Sequence, residues 1–268
     1  MIVHKMLALG LDYCLVEYEE YIDYSKLAIK ILDRVFGVGG CGLIVFKYNP
    51  LEMICYLNNG ERIPTSSNAI RCFSKYCFEK GLGNNNKLEI MTLDGIVTSE
   101  RISSNPFVCN VSIGKPIFNN SMIRVSDELN CFGRRILVDN HYFTIYSLYM
   151  SDIETIIFVD DFYDIEKYAK KISSYDIFAR KTNVGFVKVV NNENIVLKIY
   201  DKNIGFVKSG ASTAAAAVVV SQKLKLTKTI VKVDLDIDYL KVEITKKGIV
   251  NVMGKASSVF SCDFKEEN

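Results

Sequence analysis

The chain is 268 residues long, 49% hydrophobic and 24% charged, with a formal net charge of +2. That is room for two domains of ordinary size, and the interspersed charges give no basic stripe for nucleic acid. No apolar run reaches membrane-spanning length, so neither a membrane nor a nucleic acid is an expected partner.

Eight cysteines (14, 41, 55, 72, 77, 109, 131 and 262) fall mostly inside apolar segments, without a CxxC pair, and the histidines are His4 and His141. Free buried thiols in a reducing compartment are expected, and no metal site is. Residues 2–18 read as two short strands around Gly10. Asp12 comes too early for a signal peptide, which points to the cytoplasm. Apolar Leu27, Ile29, Ile31, Leu32 and Val35, with Asp23 or Ser25 as cap and Gly37 as stop, predict a helix over 25–36. GVGGCG (37–42) lacks the Lys-Ser/Thr of a phosphate loop and precedes a strand, so it reads as a turn. Strands follow at 43–48 and 53–57.

Residues 58–80, NNGERIPTSSNAIRCFSKYCFEK, are the stretch around which the chain is organised. Asn58-Asn59-Gly60 is a turn and Pro64 stiffens the approach. Ser66 or Ser67 then caps a helix whose Ile70, Phe73 and Cys77 have helical spacing. The first turn of such a buried helix is a ready site for a carboxylate. Strands at 87–92, 95–101 and 108–113 lead to a boundary at Gly114-Lys115-Pro116.

The second half repeats the order. Strands at 135–138, 142–149 and 155–159 precede a helix over 164–173, and strands at 184–190 and 194–200 follow it. A second corner, Asn203-Ile204-Gly205 then Ser209-Gly210-Ala211-Ser212, opens a helix over 213–224 too apolar to be anything but buried. Strands at 230–233, 239–244 and 248–253 close the repeat. The reading is an α/β (α+β) duplication with one site shared between the copies.

Six short motifs, in order over nearly the whole chain, resemble the diaminopimelate epimerase family, which includes cofactor-independent histidine racemases. Lys5-Met6 with Gly10-Leu11-Asp12-Tyr13 is similar to K-M-x-G-x-G-N-D-F. Asn58-Asn59-Gly60 with Asn68-Ala69-Ile70-Arg71-Cys72 is similar to N-x-D-G and C-G-N-G-x-R-C. Val111-Ser112-Ile113-Gly114-Lys115-Pro116 resembles V-x-M-G-x-P, and Thr182-Asn183-Val184 resembles T-N-V. Tyr200-Asp201-Lys202-Asn203 with Gly205 resembles Y-E-R-G-x-G, and Gly254-Lys255-Ala256 with Val259-Phe260 resembles G-P-A-x-x-V-F.

The resemblance implies two pseudo-symmetric domains, 1–114 with 255–268 returning to it, and 115–254. Each is a mixed or antiparallel sheet wrapped around a central buried helix. It further implies a homodimer, no cofactor, and inversion of an amino acid's α-carbon by two thiols, one from each helix start, acting as base and acid. Both thiol positions are serine here: Ser209 in the second corner, and in the first Ser66 by strict spacing or Ser67 if the turn is one residue shorter. A serine hydroxyl is a far weaker acid than a thiol, so slow or absent turnover is expected. The substrate-binding positions carried over are Leu11, Asn58, Asn68 and Ala69 in the first half. In the second half they are Asp152, Asn183, Asp201, Lys202, Gly210 and Ala211.

Leu11 stands for the Asn of N-D-F, Lys202 for the Arg of Y-E-R-G, and Ser151-Asp152-Ile153-Glu154 for G-N-P-H. Lost amide donors and gained carboxylates favour a neutral or cationic side chain, so histidine is the first expected substrate and diaminopimelate or a lanthionine the second. Two other readings stay open. One is a non-catalytic amino-acid-binding paralogue. The other is an isomerase of the phenazine-biosynthesis type, against which no Glu stands in the first corner; Glu61 precedes it.

Overall fold

The structure, a computed structural model, describes residues 1–64, 66–123 and 131–265. The apolar alternation at the start of the chain forms a hairpin, β1 (Ile2–Ala8) antiparallel to β2 (Leu11–Glu17). Helix α1 (Tyr24–Leu32) crosses over to β3 (Gly42–Lys47), which runs parallel to β2. β4 (Glu52–Tyr56) and β5 (Arg62–Ile63) add antiparallel pairings, and α2 (Ser67–Glu79) follows. β6 (Lys87–Thr92) then pairs parallel with β4 and antiparallel with β7 (Gly95–Ser104), which pairs with β8 (Phe107–Ser112).

After the short α3 (Asn120–Ile123), β9 (Phe132–Val138) and β10 (His141–Tyr149) form a hairpin, and β10 pairs antiparallel with β11 (Ile153–Phe158). From there the first scheme recurs. α4 (Ile165–Ser173) crosses over to β12 (Asn183–Asn191), parallel to β11. β13 (Asn194–Asp201) and β14 (Gly205–Val207) add antiparallel pairings, α5 (Ala211–Lys223) follows, and β15 (Ile230–Asp234) lies parallel to β13 and antiparallel to β16 (Tyr239–Ile244). β17 (Val250–Lys255) and β18 (Ser257–Asp263) end the chain, β18 antiparallel to β1. From β1 to β7 and from β10 to β16, sense and order of pairing agree strand for strand, which is the predicted pseudo-symmetry. By contacts the chain divides into Met1–Ser112 with the C-terminal segment from Met253, and Ile113–Val252.

Within each unit a helix covers one face of the sheet and a second is enclosed by it. In the first unit α1 packs Leu27, Ala28, Ile31 and Leu32 against Val3, Cys14, Val16, Leu43 and Val45. α2 meets β1, β2, β3, β7, β8 and β18, and nearly every residue from Ser67 to Cys77 is buried. In the second unit α4 covers the sheet through Ile165, Ala169 and Ile172. α5 is buried along its length and meets β10, β11, β12, β13, β15 and β16. A helix buried on all sides cannot afford polar faces, which is why ASTAAAAVVV shows no amphipathic stripe. Gly185 in β12 lets α5 settle on its sheet, since a Cβ there would lie 2.8 Å from Thr213 Cγ2.

Some boundaries differ from the sequence reading for identifiable reasons. α1 was expected to reach residue 36 but ends at Leu32. The Asp33 carboxylate accepts the N–H groups of Val35 (2.7 Å) and Phe36 (2.8 Å), a local turn that competes with helical bonding and leaves both apolar side chains exposed. β5, β14 and α3, two to four residues each, are too short to carry periodicity, and β18 is exposed along most of its length. All eight cysteines are free thiols; Cys41 and Cys262 are half-buried and the other six buried. Burial pushes the thiols of Cys14 and Cys109 up to about 11 and that of Cys77 up to about 12, so they stay protonated.

Candidate active-site corners

In the first unit, Ser66 is the N-cap of α2: its Oγ accepts the Ala69 N–H at 3.2 Å. The same oxygen lies 3.1 Å from the Tyr13 hydroxyl. Tyr13 is buried, and burial holds its phenol well above the usual range, so it stays a neutral O–H group. Ser66 is exposed, whereas Ser67, one residue on, is buried and accepts from Arg71 Nη1 at 3.4 Å. Arg71 is itself fully buried and also donates to Asn68 Oδ1. The guanidinium thus ties the first turn of α2 to its second, and Asn68 is spent on that tie.

Asp12, next to Tyr13 on β2, joins a different cluster. It is ion-paired with Lys5 at 2.8 Å and with Arg34 at 2.8 Å, and accepts from the Cys41 thiol at 3.0 Å. Burial raises its carboxyl, but the bonds from Arg34, Cys41 and Lys5 outweigh that and hold it well below the usual carboxylate range. Lys5 also donates to the Gly39 carbonyl. The GVGGCG turn is therefore held by an ionic cluster, with no phosphate chemistry required.

In the second unit, Gly210 is the N-cap of α5, in extended backbone and without a side-chain cap bond. A Cβ at Gly210 would come within 2.9 Å of Ile199 Cδ1, so the corner's close packing on β13 calls for glycine. Ser209 precedes it and is buried, as is Ala211. Beneath this helix start lies a network the sequence did not disclose. Glu154 on β11, fully buried, accepts from Thr213 Oγ1 in the first turn of α5 at 2.8 Å and from Asn183 Nδ2 at 3.2 Å. Burial pushes its carboxyl up to about 7, against bonds from Ser212, Thr213 and Asn183. Asn183 Oδ1 accepts the Lys202 N–H at 3.1 Å, and Lys202 Nζ pairs with Asp152 at 2.6 Å.

Asn183, Lys202 and Asp152 are thus brought into one hydrogen-bonded set, linked through Glu154 to the turn that follows Ser209, Gly210 and Ala211. Asp201 lies beside them, but its carboxylate accepts the N–H groups of Asn203 (2.8 Å) and Ile204 (3.1 Å) and shapes the turn. Leu11 is half-buried at the start of β2, and Asn58 is exposed in the turn before β5; among the described residues, neither is joined by a side-chain bond to the first corner. Tyr13, Arg71 and Thr213 are not among the predicted site residues; Tyr13 and Arg71 stand inside the family-like motifs, whereas Thr213 carries no signal. Glu154 enters the sequence reading only as a carboxylate gained near the substrate, and its buried place beneath α5 departs from that. Two surface cavities lie away from these corners: one of about 650 Å³ beside Val159, Asp161, Lys188 and Leu226, and one of about 330 Å³ beside His4, Tyr76, Lys80 and Phe260. Neither touches a predicted site residue. Among the described residues, no cluster of His, Cys, Asp and Glu is suited to a metal, and no helix is long and apolar enough to cross a membrane.

Two units, each with a helix enclosed by a mixed sheet and a serine at or just before its start, define a duplicated α/β fold. It is shared with a PhzF-family phenazine biosynthesis protein from Bacillus anthracis (TM-score 0.71, 12% identity, 99% of each chain). It is also shared with a probable proline racemase from Agrobacterium radiobacter K84 (TM-score 0.67, 10% identity, 99% of this chain and 93% of the other). No family model matches the sequence. A diaminopimelate epimerase from Caldanaerobacter subterraneus subsp. tengcongensis is 32% identical over 264 residues, 96% of each chain. The chain belongs to the diaminopimelate epimerase family and is, by that membership, an isomerase.

Proposed function

We propose that the protein acts on the α-carbon of an amino acid without a cofactor, by two-base chemistry that draws one acid/base group from each corner. The observation that carries the reading is the repetition of one corner: a buried helix opening at a serine, in the same place in both strand orders. The first-turn N–H groups of such helices suit an α-carboxylate. Ser66 is the better candidate in the first corner, being exposed and bonded to the Tyr13 hydroxyl, while Ser67 is turned to Arg71. Ser209 is the candidate in the second. With hydroxyls where the family resemblance implies thiols, the protein as it stands is expected to turn over slowly or only to bind.

The sequence favoured histidine on the strength of the carboxylates at 152 and 154. Asp152 is paired with Lys202, and Glu154 is buried beneath α5, so neither offers a free charge to an imidazolium. A paired ammonium and carboxylate suit instead the zwitterionic far end of diaminopimelate. We therefore place diaminopimelate first and histidine, favoured by the apolar Leu11, second. Calorimetric titration with both amino acids tests the order. Diaminopimelate should bind more tightly, and Lys202→Met should weaken it severalfold while sparing histidine. Tighter histidine binding that ignores Lys202→Met would reverse the assignment.

A homodimer is proposed on the family resemblance, with exposed Val259 and Phe260 of β18 as apolar surface for a second copy. Sedimentation velocity should show a dimer that Phe260→Glu dissociates; a monomeric wild-type chain would end that proposal.

A further inference from the structure

We infer that Glu154 is a positioning residue that takes up a proton when a carboxylate is seated at the start of α5, so that ligand binding at this corner is proton-linked. The inference rests on the reading above, in which the α5 corner receives the substrate's carboxylate. It goes beyond it by assigning a role to a residue that does not touch the ligand.

Glu154 is fully buried, and its carboxyl is bonded to Thr213 in the first turn of α5. Its ionised form therefore lies against the positive end of that helix. A second carboxylate on the same helix start brings a like charge close in a medium of low dielectric, and one of the two must gain a proton. The ligand's carboxylate is the stronger acid, so the proton goes to Glu154. The surrounding groups permit the change. From β10 the residue facing Glu154 is Leu148, which carries no charge. β12 presents the Asn183 amide and α5 presents Ser212 and Thr213, hydroxyls able to donate to a carboxylate or accept from a carboxylic acid. Asp152 acts on Glu154 as a like charge and further favours protonation, and the Lys202 ammonium is paired with Asp152. Burial already pushes the Glu154 carboxyl up towards neutral pH, so a modest repulsion shifts its protonation there.

The sign follows from linkage: a ligand that raises the pKa of Glu154 binds with proton uptake, and its affinity falls as pH rises through that pKa. In calorimetry near pH 7 in buffers of different ionisation enthalpy, with meso-diaminopimelate and L-histidine as probes, native protein should take up a measurable fraction of a proton per ligand. Glu154→Gln should bind with uptake near zero and an affinity nearly constant between pH 6 and 8; native affinity should fall up to about tenfold per pH unit above neutrality. Taking native minus variant cancels any proton exchanged by the imidazole of histidine. In parallel, ¹³C-carboxyl NMR of the native protein should show the Glu154 titration moving to higher pH on binding, a readout that survives if the variant does not fold. Equal uptake in both proteins, or a Glu154 titration unmoved by ligand, overturns the inference alone. Binding of neither amino acid overturns the reading of the corner, and the inference with it.

Discussion

Ser66→Cys combined with Ser209→Cys is expected to raise α-proton exchange about 10³-fold over the protein as it stands, read by NMR as loss of the α-proton signal in D₂O. The effect is large because the change is one of acidity. A thiol ionises near pH 8.5, and a helix N-terminus lowers that value, whereas an alcohol at the same place stays protonated and removes no proton from carbon. A positioned acid/base group contributes about 10²–10⁴-fold. The substitution exchanges one small side chain for another of nearly the same shape. Single variants should recover little, because a two-base reaction needs an acid as well as a base, and groups acting as a unit are not additive. Ser67→Cys is the internal control: with its side chain turned to Arg71 it should not substitute for Ser66→Cys. Silence of the double variant with diaminopimelate and histidine would leave a ligand-binding paralogue as the standing reading.

Phe73→Ala is expected to cost about 3–5 kcal/mol, measured by urea unfolding. Phe73 is fully buried on α2, its ring 5.3 Å from that of Phe46, and the helix is enclosed by its sheet. No solvent-facing side exists into which the structure can relax, so the lost transfer energy and the cavity add together. Ile29→Ala on α1, where the side chain is about half exposed, should change stability by well under half as much. Equal costs at the two positions would contradict the assignment of α2 as the enclosed helix. Since α2 also presents Ser66 at its N-cap, Phe73→Ala should loosen the first corner as well as weaken the unit.

The serines at 66, 67 and 209 drew attention because small polar residues stood directly before apolar helical runs, and caps obey local rules. What they bond to was not legible. Ser66 and Tyr13 are 53 residues apart, and Glu154 and Thr213 are 59 apart. No periodicity of 2 or 3.6 reports on pairs so separated. By its place in Ser151-Asp152-Ile153-Glu154, the counterpart of the family's G-N-P-H, Glu154 reads as a carboxylate gained near the substrate. Only the strand direction, which alternates side chains between faces, decided that it points beneath α5.

By itself, the sequence determined the elements and their twofold recurrence. Strands, crossover helices, the capped start of α2 and the almost wholly apolar α5 are written in local composition and spacing, and short-range sterics and capping depend on little else. The tertiary structure alone decided which polar groups neutralise one another. Lys202 cancels Asp152, Arg71 engages Ser67 and Asn68, and Asp12 is shared among Lys5, Arg34 and Cys41. Burial and partnership set the charge and reach of a side chain, and both are properties of the packed chain.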